Sequence, residues 1–326
     1  MKKYSLIFFL LGLVGLAIMV IKTDFSEIDW SITLVVLPVI LLIWAVIYAI
    51  HILSYRLVIG RTEQKISLGF LIRMTLSGFA LNAVTPVGLI GGEPYRIAEL
   101  KPRLGLKEAV STTLSFTFMH VITHIMFLFS GAALYFLLGA PGNTVAAVFS
   151  VLVLLILGTV IVLFFIAGCR PVVGPTLNFL CRIPLVKRPM TKMVEKNRQA
   201  IADIDASVMA FRTRKHDFWV TLVLEFGARV LEAGEFFVLF RLLETPVSFL
   251  YVCMAFSFAS LLGNLLFLVP MQVGTREGAL LLAMNWIDVE SHVCVTASLL
   301  ARLREIIFLV IGVICILIGS KKQKKV

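Results

Sequence analysis

The sequence predicts an all-α integral membrane protein, a bundle of seven to nine membrane segments that forms a single domain over residues 1–326. Of the 326 residues 60% are hydrophobic and only 15% are charged, whereas about 25% are charged in an average soluble domain. Several apolar runs reach the roughly 20 residues that an α-helix needs to cross a bilayer. Two shorter apolar runs end at breaks rich in glycine and proline, which is typical of helices interrupted inside a membrane protein.

Seven long apolar segments are the candidate membrane helices. The first follows Lys2 and Lys3, is longer than the apolar part of a signal peptide and precedes no convincing cleavage site, so we expect an uncleaved helix. The seven lie near residues 4–21, 32–53, 109–138, 144–168, 217–240, 247–269 and 293–319.

Two shorter segments, 66–84 and 272–287, decide the topology. The loop 91–108 after the first of them is basic, and the positive-inside rule disfavours placing a basic loop outside. We therefore expect 66–84 to re-enter, with both of its ends in the cytoplasm. Because both termini of the chain are basic as well, both are expected on the cytoplasmic side of the cell (inner) membrane. The segment 272–287 must then cross, as a half-helix that continues a broken one.

The net charge of +11 is placed as in a membrane protein. Ten Lys and Arg lie in the loop 169–216, which is expected to be cytoplasmic and to contain an amphipathic helix over 190–212. No nucleic-acid partner is expected. The five cysteines form no CxxC pair, so neither a disulfide nor a zinc site is predicted, and no metal or cofactor is expected.

The two breaks share a pattern that suggests an inverted repeat. Glu93 lies seven residues after Pro86, and Glu277 lies seven residues after Pro270. An asparagine precedes each proline, glycines fill the interval and an arginine lies near each glutamate: Asn82, Gly91, Gly92 and Arg96 in the first break, and Asn264, Gly274 and Arg276 in the second.

Paired broken segments in the two halves of a membrane protein point to a binding site near the midplane. A helix that begins inside the membrane exposes unpaired N–H groups and the positive end of its dipole, which suit an anion. The alternative is chance matching between apolar sequences. The spacing from asparagine to proline, four residues against six, keeps that alternative open.

The segment 217–240 carries four charges on one side of a helix. At about 100° per residue, Glu225, Arg229, Glu232 and Glu235 span an arc of about 120°. Each charge costs roughly 2.5–3.5 kcal/mol at the centre of a membrane helix, so the four must face protein or water. Lining a polar cavity and purely structural ion pairing, with Arg229 between Glu225 and Glu232, both fit.

Further polar groups lie within two other apolar segments. Arg302 and Glu305 share a face of the last helix, where Arg302 would meet a lipid phosphate or pair with a buried glutamate. Arg304 points elsewhere, and we expect its side chain to snorkel. His120 and His124 have zinc-compatible spacing without further ligand residues, which favours helix–helix hydrogen bonding or a place in the cavity.

Two motifs carry a resemblance to a known family. They are Asn82-x3-Pro86-x4-Gly91-Gly92-Glu93-x2-Arg96-x3-Leu100 and Pro270-x3-Gly274-x-Arg276-Glu277-Gly278, joined by Arg302-x-Arg304-Glu305 in the last helix. Over essentially the whole chain, the sequence resembles the flippase-like transmembrane family, which forms the membrane region of bacterial lysylphosphatidylglycerol synthases (the multiple peptide resistance factors) and also occurs as stand-alone proteins.

The resemblance implies a helix bundle with inserted half-helices that moves a lipid between leaflets. It assigns Asn82, Pro86, Gly92, Glu93 and Arg96 to one cavity motif, and Gly274, Arg276 and Glu277 to the other. Many members have a Glu-Arg pair in the helix after the first motif, where this chain reads Phe118-Met119-His120. The soluble aminoacyl-transferring domain of the full-length synthases is missing here, so lysyl transfer is not expected.

The sequence therefore predicts a multi-pass lipid translocator without catalytic residues. The expected substrate is an anionic or zwitterionic phospholipid or another lipid-linked headgroup, and homo-oligomer formation stays open. One alternative is an intramembrane enzyme that acts on a lipid-linked substrate, with Glu93 or Glu277 as general base. The other is a secondary transporter of small solutes, which would depend on an ion gradient.

Overall fold

The computed structural model describes residues 33–60, 66–84, 92–139, 144–166, 194–265 and 274–323, together with Gln272 and six single residues between 171 and 191. These parts contain nine α-helices, one 3-10 turn and no strand. The helices are α1 (Thr33–Ile59), α2 (Leu68–Val84), α3 (Gly92–Leu137), α4 (Thr144–Ile166), α5 (Arg198–Thr213), α6 (Lys215–Leu242), α7 (Phe249–Leu265), α8 (Thr275–Met284) and α9 (Ser291–Gln323), and the turn is Asn285–Ile287. The predicted helix at 4–21 lies outside the described residues.

Length and apolar composition mark three of the described helical stretches as candidate membrane spans, Val35–Ile59, Gly92–Leu137 and Ala147–Phe165. Two shorter apolar helices, Leu68–Ala83 and Phe249–Leu265, accompany them. Large apolar side chains on α1, α4 and α9 stay exposed, among them Leu42, Leu155 and Leu317. A helical membrane bundle accounts for this exposure, because acyl chains would cover these faces.

A hairpin follows α1. Gly105 adopts φ 77 and ψ 165 and breaks α3 into the stretches 92–104 and 106–137. The first stretch runs back along α2: the Gly92 amide donates to Asn82 Oδ1 at 2.6 Å, and farther down Arg73 Nη2 donates to Glu99 Oε2 at 2.6 Å. At the far end the guanidinium of Arg103 lies 3.8 Å from the centre of the Phe70 ring. We call α2 with 92–104 hairpin A.

A second hairpin follows α6. Near its tip Gln272 Nε2 donates to Asn264 Oδ1 at 3.3 Å, and at its open end the rings of Phe258 and Trp286 are 5.2 Å apart. Helix α8 therefore runs back along α7, and we call α7 with α8 hairpin B. Helix α8 lies within the segment 272–287, which the sequence predicted to cross as a half-helix. With ten residues, α8 is about 15 Å long and covers half of a hydrocarbon core.

The two halves pack as an inverted repeat. Each consists of a long helix, a hairpin and a second long helix: α1, hairpin A and 106–137 in one half, and α6, hairpin B and α9 in the other. Contacts between Trp44 and Glu235 and between His51 and Glu225 show that α1 and α6 are antiparallel. Helix α2 packs on α9 and α7 packs on α3, so the hairpin of each half contacts the second long helix of the other.

Two hydrophobic clusters close the two ends of the bundle. One includes Val36, Tyr135, Phe240, Val252 and Met284. The other includes Val58, Phe70, Leu100, Phe211 and Phe218. Most of the buried charged residues lie on the helices between these clusters, so the polar site occupies the middle of the bundle.

The loop helix α5 spans Arg198–Thr213 and buries Val208 and Phe211. All but its last residue lies within the helix predicted over 190–212, and residues 194–196 before it are helical as well. After it, Arg214 Nη2 donates to the Leu57 and Val58 carbonyl oxygens at 3.0 and 2.6 Å. This guanidinium thereby satisfies carbonyl groups at the end of α1 that have no partner within the helix.

Candidate functional site

A cavity of about 270 Å³ lies in the middle of the bundle. Helices α1, α3, α6, α7, α8 and α9 line it, and α2 contributes the ring of Phe79. Its charged lining is balanced, with three arginines and three glutamates: Arg229, Arg276, Arg302, Glu232, Glu277 and Glu305. Its other walls are mostly aromatic or polar, including Trp44, Tyr48, His51, His120, His124, Phe236, Phe256, Asn264 and Gln272.

Four of the charged side chains form one network between α8 and α9. Arg302 Nε donates to Glu277 Oε1 at 3.0 Å, and its Nη1 donates to Glu305 Oε2 at 2.7 Å. Arg276 pairs with the other oxygen of Glu305. The Arg276 side chain keeps 32% of its surface exposed, the largest fraction among these four. It is therefore the arginine most open to a ligand.

A side chain of α8 itself, Glu277, caps the first turn of this helix. Gly274 adopts φ 78, a conformation that favours glycine, and its amide donates to Glu277 Oε2 at 2.8 Å. The sequence led us to expect that this half-helix N-terminus would offer its N–H groups to an anion. Instead, the Glu277 carboxylate accepts from the Gly274 amide and links the cap to Arg302.

A second polar group lies between α3, α6 and α7. Arg229 Nη1 donates to both Glu232 oxygens, at 2.9 and 3.1 Å, and Arg229 Nη2 contacts His120 Nε2. His124 Nε2 lies 2.8 Å from Asn264 Nδ2 at the end of α7. The histidine pair thus makes helix–helix contacts and lines the cavity, as the sequence favoured.

Glu225 does not line the cavity, unlike Arg229 and Glu232 on the same side of α6. Its side chain is fully buried behind the cavity wall, and its partner is not the Arg229 that its spacing suggested. The His51 Nδ1 atom lies 3.0 and 3.1 Å from its two oxygens, and His120 Nδ1 lies 2.8 Å from Oε2. One ligand atom from each of these three residues falls within 4.8 Å of the others.

The residues of the first break form a cluster beside the cavity. Glu93 Oε1 accepts from Arg96 Nη1 at 3.1 Å and from Asn82 Nδ2 at 3.4 Å. The Arg96 side chain is buried, and its guanidinium lies 4.7 Å from the centre of the Phe79 ring, which itself lines the cavity. Of the described residues, Asn82, Gly92, Glu93 and Arg96 therefore adjoin the cavity without lining it.

Arg304 does not snorkel, so that expectation was wrong. Its guanidinium donates to the two oxygens of Glu235 at 3.0 and 2.8 Å, and it lies 3.8 Å from the Trp44 ring centre. Both charged side chains are almost completely buried. Helices α1, α6 and α9 meet here, so pairing with Glu235 compensates the buried charge within the bundle.

The cavity unites ten of the residues singled out from the sequence. Nine of them line it: His120, His124, Arg229, Glu232, Asn264, Arg276, Glu277, Arg302 and Glu305. The tenth, Gly274, is joined to the cavity because its amide donates to the Glu277 carboxylate. Pro86, Gly91 and Pro270 lie outside the described residues. Sequence reasoning missed Trp44, His51 and Gln272. A histidine within an otherwise apolar helix was the available signal for His51, because ionisable residues within membrane segments are usually functional.

Comparison with known proteins gives two matches. The family model described as the lysylphosphatidylglycerol synthase TM region matches residues 5–312. The chain is also similar to a UPF0104 membrane protein of Methanothermobacter thermautotrophicus. The two are 25% identical over 319 residues, which cover 93% of this chain and 91% of that protein.

Proposed function

We propose that this chain, which belongs to the lysylphosphatidylglycerol synthase TM region family, moves a phosphate-bearing lipid between the leaflets of the cell (inner) membrane. The observation that carries this proposal is the cavity in the middle of the bundle, in which three arginines are balanced by three glutamates. The partners are membrane lipids, and the chain itself carries out no covalent step.

The arginines that line the cavity suit a phosphate group. Guanidinium groups bind carboxylate and phosphate in the same two-pronged geometry, so a phosphate can replace the Glu305 carboxylate on Arg276 without leaving the cation unpaired. The displaced carboxylate keeps Arg302 as a partner. Exchange of one acceptor for another lowers the desolvation cost that a buried phosphate would otherwise meet.

The size and charge of the cavity favour a headgroup. Its volume of about 270 Å³ is near the lower limit of ligand pockets, which suits a headgroup whose acyl chains remain in the bilayer. The balanced charges offer cations for the phosphate and carboxylates, such as Glu232, for an amine. A zwitterionic headgroup therefore fits the lining as well as an anionic one.

The two hairpins supply the access routes. We infer that hairpin A re-enters from the cytoplasmic side and hairpin B from the opposite side, and that both chain termini are cytoplasmic. The tips then approach the cavity from opposite leaflets, as in transporters built from inverted repeats. Tilting one half against the other would open the headgroup site to each leaflet in turn.

The test uses the purified full chain in vesicles of phosphatidylethanolamine and phosphatidylglycerol with trace fluorophore-labelled phosphatidylethanolamine. A membrane-impermeant quencher reports how fast inner-leaflet label reaches the outside. The double variant Arg276→Gln/Glu305→Gln removes a cation and an anion together. Since a hydrogen bond to a charged group contributes roughly 1.5–3 kcal/mol, its exchange rate should fall about tenfold or more.

The matched control is Arg241→Gln/Glu244→Gln, which makes the same two changes at exposed positions near the end of α6. It should exchange lipid as fast as the unaltered chain. The proposal fails if the unaltered chain exchanges lipid no faster than protein-free vesicles, or if the cavity variant and the control behave alike.

A further inference from the structure

Glu225 is a buried carboxylate that the headgroup site does not use. None of its surface is exposed, and in the part of the chain that the structure describes both its oxygens accept only from imidazole nitrogens. An ionised carboxylate in such a place requires a compensating positive charge. Imidazoles carry that charge only when they bind a proton.

The contacts of His120 fix where its proton lies. A guanidinium can only donate, so the Arg229 group facing His120 Nε2 requires a lone pair on that nitrogen. His120 is therefore neutral, and its proton is on Nδ1, from which it donates to Glu225 Oε2. His51 is left as the imidazole that can become charged beside Glu225.

The same contact argues against a metal ion. A histidine that binds a metal through one ring nitrogen normally donates the N–H of the other to a carboxylate, carbonyl or water. Here the other nitrogen of His120 faces the donors of Arg229. His51, His120 and Glu225 have a spacing that could hold a metal ion. The second nitrogen of His120, however, faces a hydrogen-bond donor instead of the acceptor that a metal-bound histidine normally has.

The cavity connects the cluster to water. His51 and His120 line the cavity, whereas Glu225 lies behind them. The other ionisable groups around it are His124 of α3 and the Arg229–Glu232 pair of α6, with the Tyr48 hydroxyl of α1 on the cavity wall. From α2 the ring of Phe79 covers both imidazoles, and Arg96 lies beyond it.

We propose that His51, Glu225 and His120 form the binding site of a proton whose movement across the membrane is coupled to that of the lipid. This inference rests on the proposed function and adds its energy source. A hydronium ion in the cavity gives its proton to the second ring nitrogen of His51 and leaves as water, and the imidazolium pairs with the Glu225 carboxylate. Release to water on the opposite side restores neutral His51.

The loaded and empty states differ in the charge on the cavity wall. With the proton bound, the cluster is an ion pair of zero net charge; without it, one negative charge remains behind the wall of the space that receives the headgroup. A bound phosphate therefore favours the loaded state, and the loaded state favours the phosphate. Two ligands that favour the same state are coupled reciprocally.

The experiment combines two signals in the same vesicles: the leaflet distribution of labelled phosphatidylethanolamine and an entrapped pH-sensitive dye. A pH difference is imposed across the membrane. With the membrane potential held at zero by valinomycin and equal potassium on both sides, strict coupling of one proton to one lipid predicts about tenfold accumulation of the label in one leaflet for each pH unit. Each unit corresponds to a tenfold ratio of proton concentrations. The dye should report proton flux faster than in protein-free vesicles.

Two variants remove the site in different ways. Glu225→Gln removes the carboxylate, and His51→Asn keeps a donor near the Nδ1 position but cannot bind a proton. Both should lose the accumulation and the extra proton flux. The control His216→Gln changes an exposed histidine in the first turn of α6. It should retain both the accumulation and the extra proton flux. The monodisperse elution and melting temperature of each variant show whether it is folded, and either folded variant suffices for the comparison.

The outcomes separate the two proposals. Lipid exchange by the unaltered chain that ignores the pH difference overturns proton coupling and leaves the proposed function standing. Absence of lipid exchange overturns the proposed function. The dye signal then tests the proton site by itself: proton flux that is lost in Glu225→Gln supports the site, and absence of proton flux overturns it. One zinc ion per purified chain, lost in Glu225→Gln, would replace the proton site with a metal site.

Discussion

At the scale of single residues, the partners of the buried charges decide what each one does. Arg302 and Glu277 face the cavity, whereas Arg304, two residues farther along α9, is sealed between α1 and α6 with Glu235 and Trp44. Positions two apart on a helix differ by about 200°. Neighbouring arginines therefore serve different purposes, one in the site and one in the scaffold.

The Arg304–Glu235 pair leads to a stability prediction. Arg304→Met leaves the fully buried Glu235 carboxylate without its cation, although Trp44 still donates to it, and removal of one partner of a buried pair typically costs about 3–5 kcal/mol. We expect the free energy of unfolding in mixed micelles to fall by about that amount. The double variant Arg304→Met/Glu235→Leu should recover most of the loss, because no unpaired charge remains.

Arg241→Met is the control for this prediction, since Arg241 is exposed and outside the pair. It should change the free energy of unfolding by less than about 0.5 kcal/mol. A double variant as unstable as Arg304→Met alone would contradict the interpretation that the unpaired charge causes the loss.

At the scale of elements, glycines allow close packing at the two places where the hairpin of one half contacts the second long helix of the other half. A Cβ atom on Gly131 of α3 would lie 1.5 Å from Ser257 Oγ of α7. A Cβ on Gly312 of α9 would lie 2.4 Å from the Ala80 Cβ of α2 and 2.8 Å from the Leu76 carbonyl oxygen. Small residues let helix backbones approach closely in membranes, where lipid supplies no hydrophobic force between helices.

Gly131→Ala should therefore separate α3 from α7. We expect a loss of about 1–3 kcal/mol in the free energy of unfolding, typical of overpacking, measured in mixed micelles. Ser257→Gly in the same chain should restore much of it, because it removes both contacting atoms, Cβ and Oγ. Gly227→Ala on α6 is the control, since its added Cβ meets nothing within 4 Å. Equal effects at positions 131 and 227 would contradict the packing argument.

At the scale of the whole molecule, the inverted repeat determines which ends share a side. Glu108 Oε1 accepts from Ser207 Oγ of the basic loop helix at 3.3 Å, so the end of hairpin A lies with that helix. Glu290, before α9, lies next to the other hydrophobic cluster through Val289. The fold thus places Lys107 and Glu290 at opposite ends of the bundle.

This arrangement predicts the sidedness of chemical labelling. In a chain whose five cysteines are replaced by alanine, Lys107→Cys should react with an impermeant maleimide only after cells are permeabilised if hairpin A returns to the cytoplasmic side, as we propose. Glu290→Cys should react in intact cells. Both native residues are exposed, so burial does not explain a difference. Labelling of Lys107→Cys in intact cells would show that 66–84 crosses the membrane.

Much of the architecture could be predicted because local chemistry dictates it. Long apolar runs require helices that satisfy their own hydrogen bonds, and the two glycine- and proline-rich breaks separate the helices of hairpins A and B along the sequence. The length of α8 was not predictable in the same way, because hydropathy marked the whole segment 272–287, whereas the helix that runs back along α7 has ten residues.

The sequence by itself determined the class of the protein, its paired hairpins and the charged faces of α6 and α9. Only the tertiary structure decided which charges meet. Glu225 pairs with His51 and His120, which are 174 and 105 residues away along the chain, although Arg229 is only one helical turn away. The physical reason is that spacing along a helix fixes the direction of a side chain, but its partner is set by which helices pack against that face.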